Sequence, residues 1–352
     1  WGGGQNFLSG FLGAPVGRAA DRSQRYAQMM LEGFLLIVLS GAMYYASFAA
    51  HEMLLRYIFV SLGSLFLGMG LAFYHPIGGA ILQIAYGRNE APKALGINGS
   101  MGSLGRALAP YVMVMLFSLM GVKGGIGALS AFTLALSLVT YYGLRDIKYE
   151  RPTEPQGERQ EGSLSPYLYI LIPLTAIVFV RSMFIAGVQL FAPNYLYLSY
   201  RSHELVGIFL TISYATAIVG QPYFGRLTSE KGGRYVVIMT TILSTLFYVA
   251  FLLVREIYLS LTLFAAFAFF AFSGFPNLIG YVSQVVDRKV LARANGIVWS
   301  YGNMLGGALG MIIGGPIAGY YGFRGAMILY AVLAVISSIM LISLPKERSS
   351  SN

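Results

Sequence analysis

Two arginines sit where a charge is hard to keep. Arg106 lies inside INGSMGSLGRALAPYVMVML (97–116) and Arg181 inside AIVFVRSMFIAG (176–187), both long apolar stretches. A guanidinium supplies a full positive charge and a planar fork of donors that suits oxyanions. Holding it at the centre of a bilayer costs at least ~2.5–3.5 kcal/mol, so neither residue is expected to face lipid. Acidic residues lie in loops or near helix ends, and Glu32, one turn inside its helix, is the deepest. No carboxylate is therefore expected at mid-depth to neutralise either arginine. A further helix not in this sequence could supply one; otherwise the natural counter-ion is a solute, anionic or strongly polar and able to accept hydrogen bonds. The other reading is that each arginine binds backbone carbonyls or polar side chains and serves structure. His75, next to Pro76, is the only histidine inside an apolar stretch. It either carries a coupling proton or stays packed and neutral. Asn98, Gln189, Asn194, Asn277, Tyr301 and Asn303 are further polar residues at depth, as solute contacts or as interhelical hydrogen bonds.

Other chemistries are poorly served. The chain has no cysteine, so disulfides, thiolate metal sites and cysteine nucleophiles are excluded. There is no Gly-x-x-x-x-Gly-Lys-Ser/Thr loop for nucleotide phosphates and no cluster of metal-ligand spacing, so neither an ATPase nor an embedded enzyme is expected, and no cofactor.

The elements that must position these residues are membrane helices. Of 352 residues, 11% are charged and 56% hydrophobic, with a mean hydropathy of +0.66. A soluble domain carries about 25% charge. Continuous apolar runs near 20 residues predict an all-α polytopic membrane protein rather than a barrel of alternating strands. Eleven spans are expected, near 2–20, 29–50, 54–85, 94–119, 125–144, 167–191, 205–228, 236–254, 257–285, 294–318 and 326–344. The third and ninth are long enough to tilt or project. No cleavable signal peptide is visible at Trp1.

RDIKYERPTEPQGERQEGSLSP (145–166) is charged and rich in Pro, Glu and Gln, which predicts a solvated linker. It divides the chain into bundles 1–144 and 167–352. The formal charge of +10 is concentrated in loops 18–25, 87–93, 145–159, 226–234 and 288–293 and in the tail. That distribution marks the cytoplasmic side, including the linker and the C-terminus, rather than a nucleic-acid surface.

The two halves repeat. KALGINGSMG (93–102) aligns with RANGIVWSYG (293–302), and Pro76 with Pro276, at an offset of 200. GRAADRSQRY (17–26) answers GRLTSEKGGRY (225–235) on the same side. Parallel repeats related by an axis along the membrane normal are a transporter plan. In the second copy Phe275 replaces His75, so any role of that histidine is asymmetric.

GRAADRSQRY resembles the signature loop of the major facilitator superfamily, between family helices 2 and 3. Gly17, Asp21, Arg22 and Arg25 match its small, acidic and basic positions, and Gln24 stands where a second glycine is usual. Independently of the family, Gly17 permits a tight helix exit, and Asp21 can pair with a basic residue or cap a helix start. With Glu230 and Arg234 of the second copy, these residues form a candidate conformational latch. The resemblance extends to Gly105, Ala109 and Pro110, similar to the helix-5 motif of family antiporters, where Gly-Pro is usual. The family's helix-4 arginine is replaced by Leu65. His75-Pro76 resembles the fosmidomycin-resistance branch. The resemblance begins at family helix 2, so family helix 1 is expected to be absent from this sequence.

Gly96, Gly99, Gly102 and Gly105 recur every three residues, and Gly302, Gly306, Gly310 and Gly314 every four. Such faces, with Pro110, are expected to let helices approach closely. The resemblance implies a secondary active transporter in a prokaryotic plasma membrane, working by alternating access as a monomer among lipids. Its cargo is a small, anionic or polar organic solute, with proton-coupled efflux by antiport as one option. The rival reading is a non-transporting subunit of a larger membrane complex built on the same fold.

Overall fold

The computed structural model describes residues 2–146 and 163–345. Most of the expected linker lies outside them, as do the basic residues Lys148, Arg151, Arg159, Lys346 and Arg348. The side chains of Arg88, Pro110 and Phe275 are also outside the described set.

The described residues form eleven helical rods, once the reversals within the long helical runs are separated. They are α1 (Gly2–Ser23), α2 (Tyr26–Ala49), α3 (53–86), α4 (88–120), α5 (122–144), α6 (Leu168–Tyr200), α7 (His203–Lys231), α8 (Gly233–Leu253), a broken rod made of α9 (Ile257–Ala271) and α10 (Gly274–Val285), α11 (291–321) and α12 (323–340). Eight stretches are long and apolar enough to cross a membrane, one of them holding both α11 and α12. The protein is an integral membrane protein.

Glycine makes the sharpest reversals. Gly87, Gly121 and Gly322 take φ near +70° with extended ψ, a conformation closed to residues with a Cβ, and the chain turns back at each. The expected loop 87–93 is thus a one-residue turn, and the helix resumes at once. Gln24 also has positive φ, +57°. It is the residue standing where glycine is usual, and its left-handed geometry ends α1 as a helix C-terminus requires.

Two cores hold the rods. One lies at the end carrying the basic loops and joins both halves: Ile77, Ile81 and Leu95 of the first pack with Ile279, Tyr281, Val298 and Trp299 of the second. The other belongs to the second half, where Phe184, Phe209, Tyr248, Phe251 and Phe267 form a cluster of tilted aromatic rings. On α11, Gly306 and Gly310 press against the α6 backbone at Phe179 and Met183, while Gly314 meets Tyr330 and Phe191. The four-residue glycine stripe is therefore a packing face.

The three-residue series behaves differently. Gly96 and Gly99 contact Gln221 on α7, but a Cβ on Gly102 would approach only the Arg106 side chain, and one on Gly105 would meet nothing. The expected packing role is corrected for these two. Three residues advance a helix by about 300°, so the row swings off the contact line by about 60° at each step.

The repeat copies also diverge. Residues 296–305 form a π-helix, whereas 96–105 are α-helical. The rod containing Pro276 breaks at Phe272–Ser273, whereas α3 runs helical through Pro76.

Candidate functional site

The halves meet at the basic-loop end. At the outermost layer the Asp21 carboxylate accepts from the backbone N–H of Ala292 (3.1 Å) and of Arg293 (2.7 Å), at the start of α11. Tyr26 donates its hydroxyl to the same group at 3.1 Å. A carboxylate at a helix N-terminus fits the orphan donors and the dipole there. Burial pushes the Asp21 carboxyl up to about 7, against the opposing pull of those N–H groups, the Tyr26 hydroxyl and the Arg293 charge. Gly17 lies inside α1, pressed on the Ala292 carbonyl. Its expected role as a helix exit is corrected: the helix continues to Ser23, and Gly17 provides the close crossing that brings Asp21 to α11.

One layer deeper, Gln83 and Asn295 exchange amide contacts across the halves. Asn295 Nδ2 donates to Gln83 Oε1 at 2.8 Å, and Gln83 Nε2 donates to the Ile279 carbonyl at 2.7 Å. The next layer joins α4 to α7. Ser100 Oγ donates to the Ile218 carbonyl at 2.7 Å, and Gln221 Nε2 donates to Ser103 Oγ at 2.5 Å. Arg106 Nη2 donates to the same Ser103 oxygen at 2.8 Å.

Beyond this layer α1 still crosses α11 of the other half, where a Cβ on Gly10 would strike Leu305. Arg106 is exposed, and a Cβ on the adjacent Gly105 would meet nothing. Leu108 is 51% and Tyr111 71% exposed. The Tyr74 and Tyr214 side chains, one from each half, lie within electrostatic reach of the Arg106 guanidinium. Asn98 Nδ2 donates to the Tyr74 hydroxyl at 3.4 Å, and His75 packs on Trp299 of the opposite half with ring centroids 4.6 Å apart. Among the described residues, the Arg106 cation therefore sits beyond a layer of amide and serine contacts, with Tyr74 and Tyr214 close by. Together these groups can hold a solute by charge, hydrogen bonds and apolar contact. Among the described residues, no group of three His, Asp or Glu is placed to hold a metal.

The sequence matches a family profile described as Major Facilitator Superfamily over residues 2–200 and again over 174–352. The chain belongs to the major facilitator superfamily. No match is found among curated protein sequences. Among solved structures, the superfamily fold is shared with a human organic anion transporter (TM-score 0.78, 16% identity, covering 96% of this chain and 82% of that one). It is shared also with the E. coli fucose:proton symporter (TM-score 0.74, 13% identity, 97% and 90% covered). A bacterial homologue of the iron transporter ferroportin, in an outward-facing state, matches with TM-score 0.75 at 14% identity, covering 98% and 89%. The major facilitator fold is that of secondary transporters.

Within this superfamily chain the expected site residues separate. Arg106, His75 and Asn98 come together next to the Ser103–Gln221 layer. Arg181 does not join them. It is 3% exposed, and its Nη2 donates to the carbonyls of Phe270 (3.3 Å) and Ala271 (3.1 Å). These are among the carbonyls that α9 leaves without helical partners where it stops. The expectation of a solute anchor at Arg181 gives way to the structural reading: the cation caps a broken helix. Asn303 is used by Ser182, whose hydroxyl donates to its Oδ1 at 2.7 Å. Asn277 is 1% exposed with neither amide atom partnered, and Gln189 is exposed.

The expected latch divides as well. Asp21 crosses between halves, as a helix cap. Glu230 instead pairs with Arg226 of its own helix at 2.7 Å, and Arg234 donates to the Leu344 and Pro345 carbonyls at the end of the same half. Arg22 and Arg25 lie at the end of α1 and the start of α2.

Ser103, Gln221, Gln83, Asn295, Tyr74 and Tyr214 were not among the expected site residues. Ser103 was findable as the residue one turn before Arg106. Gln221, Gln83 and Asn295 are amides inside or beside apolar spans, the same signal that singled out Gln189 and Asn303. Which amides face the other half is set by tertiary packing.

Proposed function

We propose that this superfamily member is a secondary active transporter for a small organic anion, bound at Arg106 between the halves and moved by alternating access. The observation that carries the reading is an exposed arginine at mid-helix whose hydrogen bond is to a serine hydroxyl, not to a carboxylate. Among the described residues no carboxylate bears on Arg106, and the balancing charge assigned here is a solute anion. Tyr74, Asn98 and Tyr214 supply hydrogen-bonding groups.

The orientation follows the positive-inside rule, so the closed end is cytoplasmic and the proposed solute cavity opens outward. A prokaryotic plasma membrane and a monomer are the simplest setting. Asp21 latches the closed end. His75 is the coupling residue if protons drive the cycle, and anion efflux in exchange for protons is the direction suggested by Gly105, Ala109 and Pro110.

The test is binding by purified protein, read as thermal stabilisation across a panel of organic anions and neutral analogues of the same shape. At least one anion should stabilise the protein more than its neutral analogue. Arg106→Lys should weaken the effect, because it keeps the charge and loses the fork. Arg106→Gln should remove most of it, since truncating one side of a buried charged contact costs about 2–5 kcal/mol. Normal binding by both variants together with early melting would make Arg106 structural.

A further inference from the structure

The layer beneath Arg106 contains a chain of contacts that crosses from one half to the other and ends on the anchor. Gln221 of α7 donates to Ser103 Oγ, and that oxygen also accepts from Arg106, both on α4. Ser103 is fully buried and Gln221 is 2% exposed, while Arg106 is exposed. We propose that Gln221 is a positioning residue: through Ser103 it sets the Arg106 guanidinium for solute only while the basic-loop end is closed. This rests on the reading of Arg106 as the solute anchor.

Three observations support a built arrangement. First, Gly99 must lack a side chain, because a Cβ there would coincide with the Gln221 carboxamide oxygen. Second, Gly96 fits against the Gln221 carbonyl and Pro222, and Ser100 bonds to the Ile218 carbonyl, so α4 and α7 are held at backbone contact on both sides of the bridge. Third, Gln221 Oε1 is buried with no hydrogen-bond partner. A buried acceptor without a partner raises the free energy of the closed state relative to one in which it is satisfied. The bridge is thus satisfied on its Arg106 side and unsatisfied on the other, which suits a contact that must open in each cycle.

Opening follows from topology. Ser103 and Gln221 are on different halves, so separation of the halves at this end breaks the Nε2–Oγ bond. Arg106 then loses the fixed oxygen that orients it. The anchor is set when the cavity faces away from the basic loops and loosened when it faces them. Such a difference in site geometry between two states is what converts a conformational change into a change of affinity.

The test reads Arg106 directly and needs no solute. Purified protein is treated with phenylglyoxal, which modifies accessible guanidinium groups, and the rate at Arg106 is followed by peptide mass spectrometry. In parallel, a cysteine placed at Tyr111 of this cysteine-free chain reports the opening of the other end by maleimide labelling. Gln221→Leu and Ser103→Ala should each raise the Arg106 rate at least threefold with Tyr111 labelling unchanged, and the double variant should add little to either. Gln221→Glu should stay near the parent rate, because its carboxylate can accept from the Ser103 hydroxyl. Gly99→Ala provides a second route if Gln221→Leu folds poorly: its methyl group should displace the amide and raise the rate as well. Unchanged Arg106 reactivity in these variants would overturn the proposal. So would parallel changes in Arg106 modification and Tyr111 labelling, which would make the bridge a gate contact alone. Solute binding that survives Arg106→Gln would instead remove the anchor and leave these reactivity results standing.

Discussion

Asp21 shows how burial and hydrogen bonding compete on one group. Its carboxyl is held near 7 when docked on α11, against an ordinary value of 3.8. A raised value means that protonation favours the docked state. The resulting stabilisation is full below the ordinary value and is lost as pH rises through about 7. Spin labels at Ser23 and Lys231, one per half at the closed end, should show a growing short-distance population as pH falls from 8 to 5. Asp21→Asn should flatten that dependence; a pH response unchanged in the variant would dissociate Asp21 from the gate. Arg181 carries a second expectation at this scale. Arg181→Leu leaves the Phe270 and Ala271 carbonyls bare in a dry break, and hydrogen bonds to charged groups are worth about 1.5–3 kcal/mol. It should lower the melting temperature while the surviving protein binds solute normally, and a stable variant with lost binding would reverse the assignment. The sequence showed both arginines to be costly. It did not separate them, because the difference lies in a helix break at Phe272–Ser273 that only the packed structure reveals. Asp21 was legible as a helix cap, but its partner lies 271 positions away in the chain.

At the scale of elements, the expected spans coincide with the eleven described rods, although α1 and most of α4 fall outside the stretches that length and apolarity alone single out. Their ends were less visible. Gly87 replaces a loop with a single residue of positive φ, and α6 runs to Tyr200, nine residues past the expected end. The glycine rows were legible as spacing and not as contact. Spacing of four kept Gly306 and Gly310 on α6, whereas spacing of three carried Gly102 and Gly105 off α7. Gly310→Val should therefore cost about 1–3 kcal/mol through overpacking against the Met183 backbone, and lower the melting temperature accordingly. Gly105→Ala should be neutral or slightly stabilising, because nothing approaches and alanine favours the helix. Equal losses for the two substitutions would contradict the packing described for either position. The repeat was legible too, but identical offsets conceal different geometry: α-helix at 96–105, π-helix at 296–305.

For the whole molecule, three polar layers join the first 144 residues to the rest at the basic-loop end. Membrane insertion and the all-helical class were readable from composition and apolar runs, and the superfamily from the signature-loop residues. The layer beneath Arg106 was not, because it is made where α4 meets α7 and no local pattern specifies which serine faces which amide. The central claim is that this molecule carries an anion past Arg106. The direct measurement is flux of labelled organic anions across proteoliposomes containing the purified chain and its Arg106→Gln variant at equal incorporation. The account predicts saturable flux of at least one anion by the parent, reduced at least tenfold in the variant, with a neutral analogue carried poorly by both. Flux indifferent to Arg106, or no flux of any solute by a protein that purifies with stoichiometric partners, would contradict it.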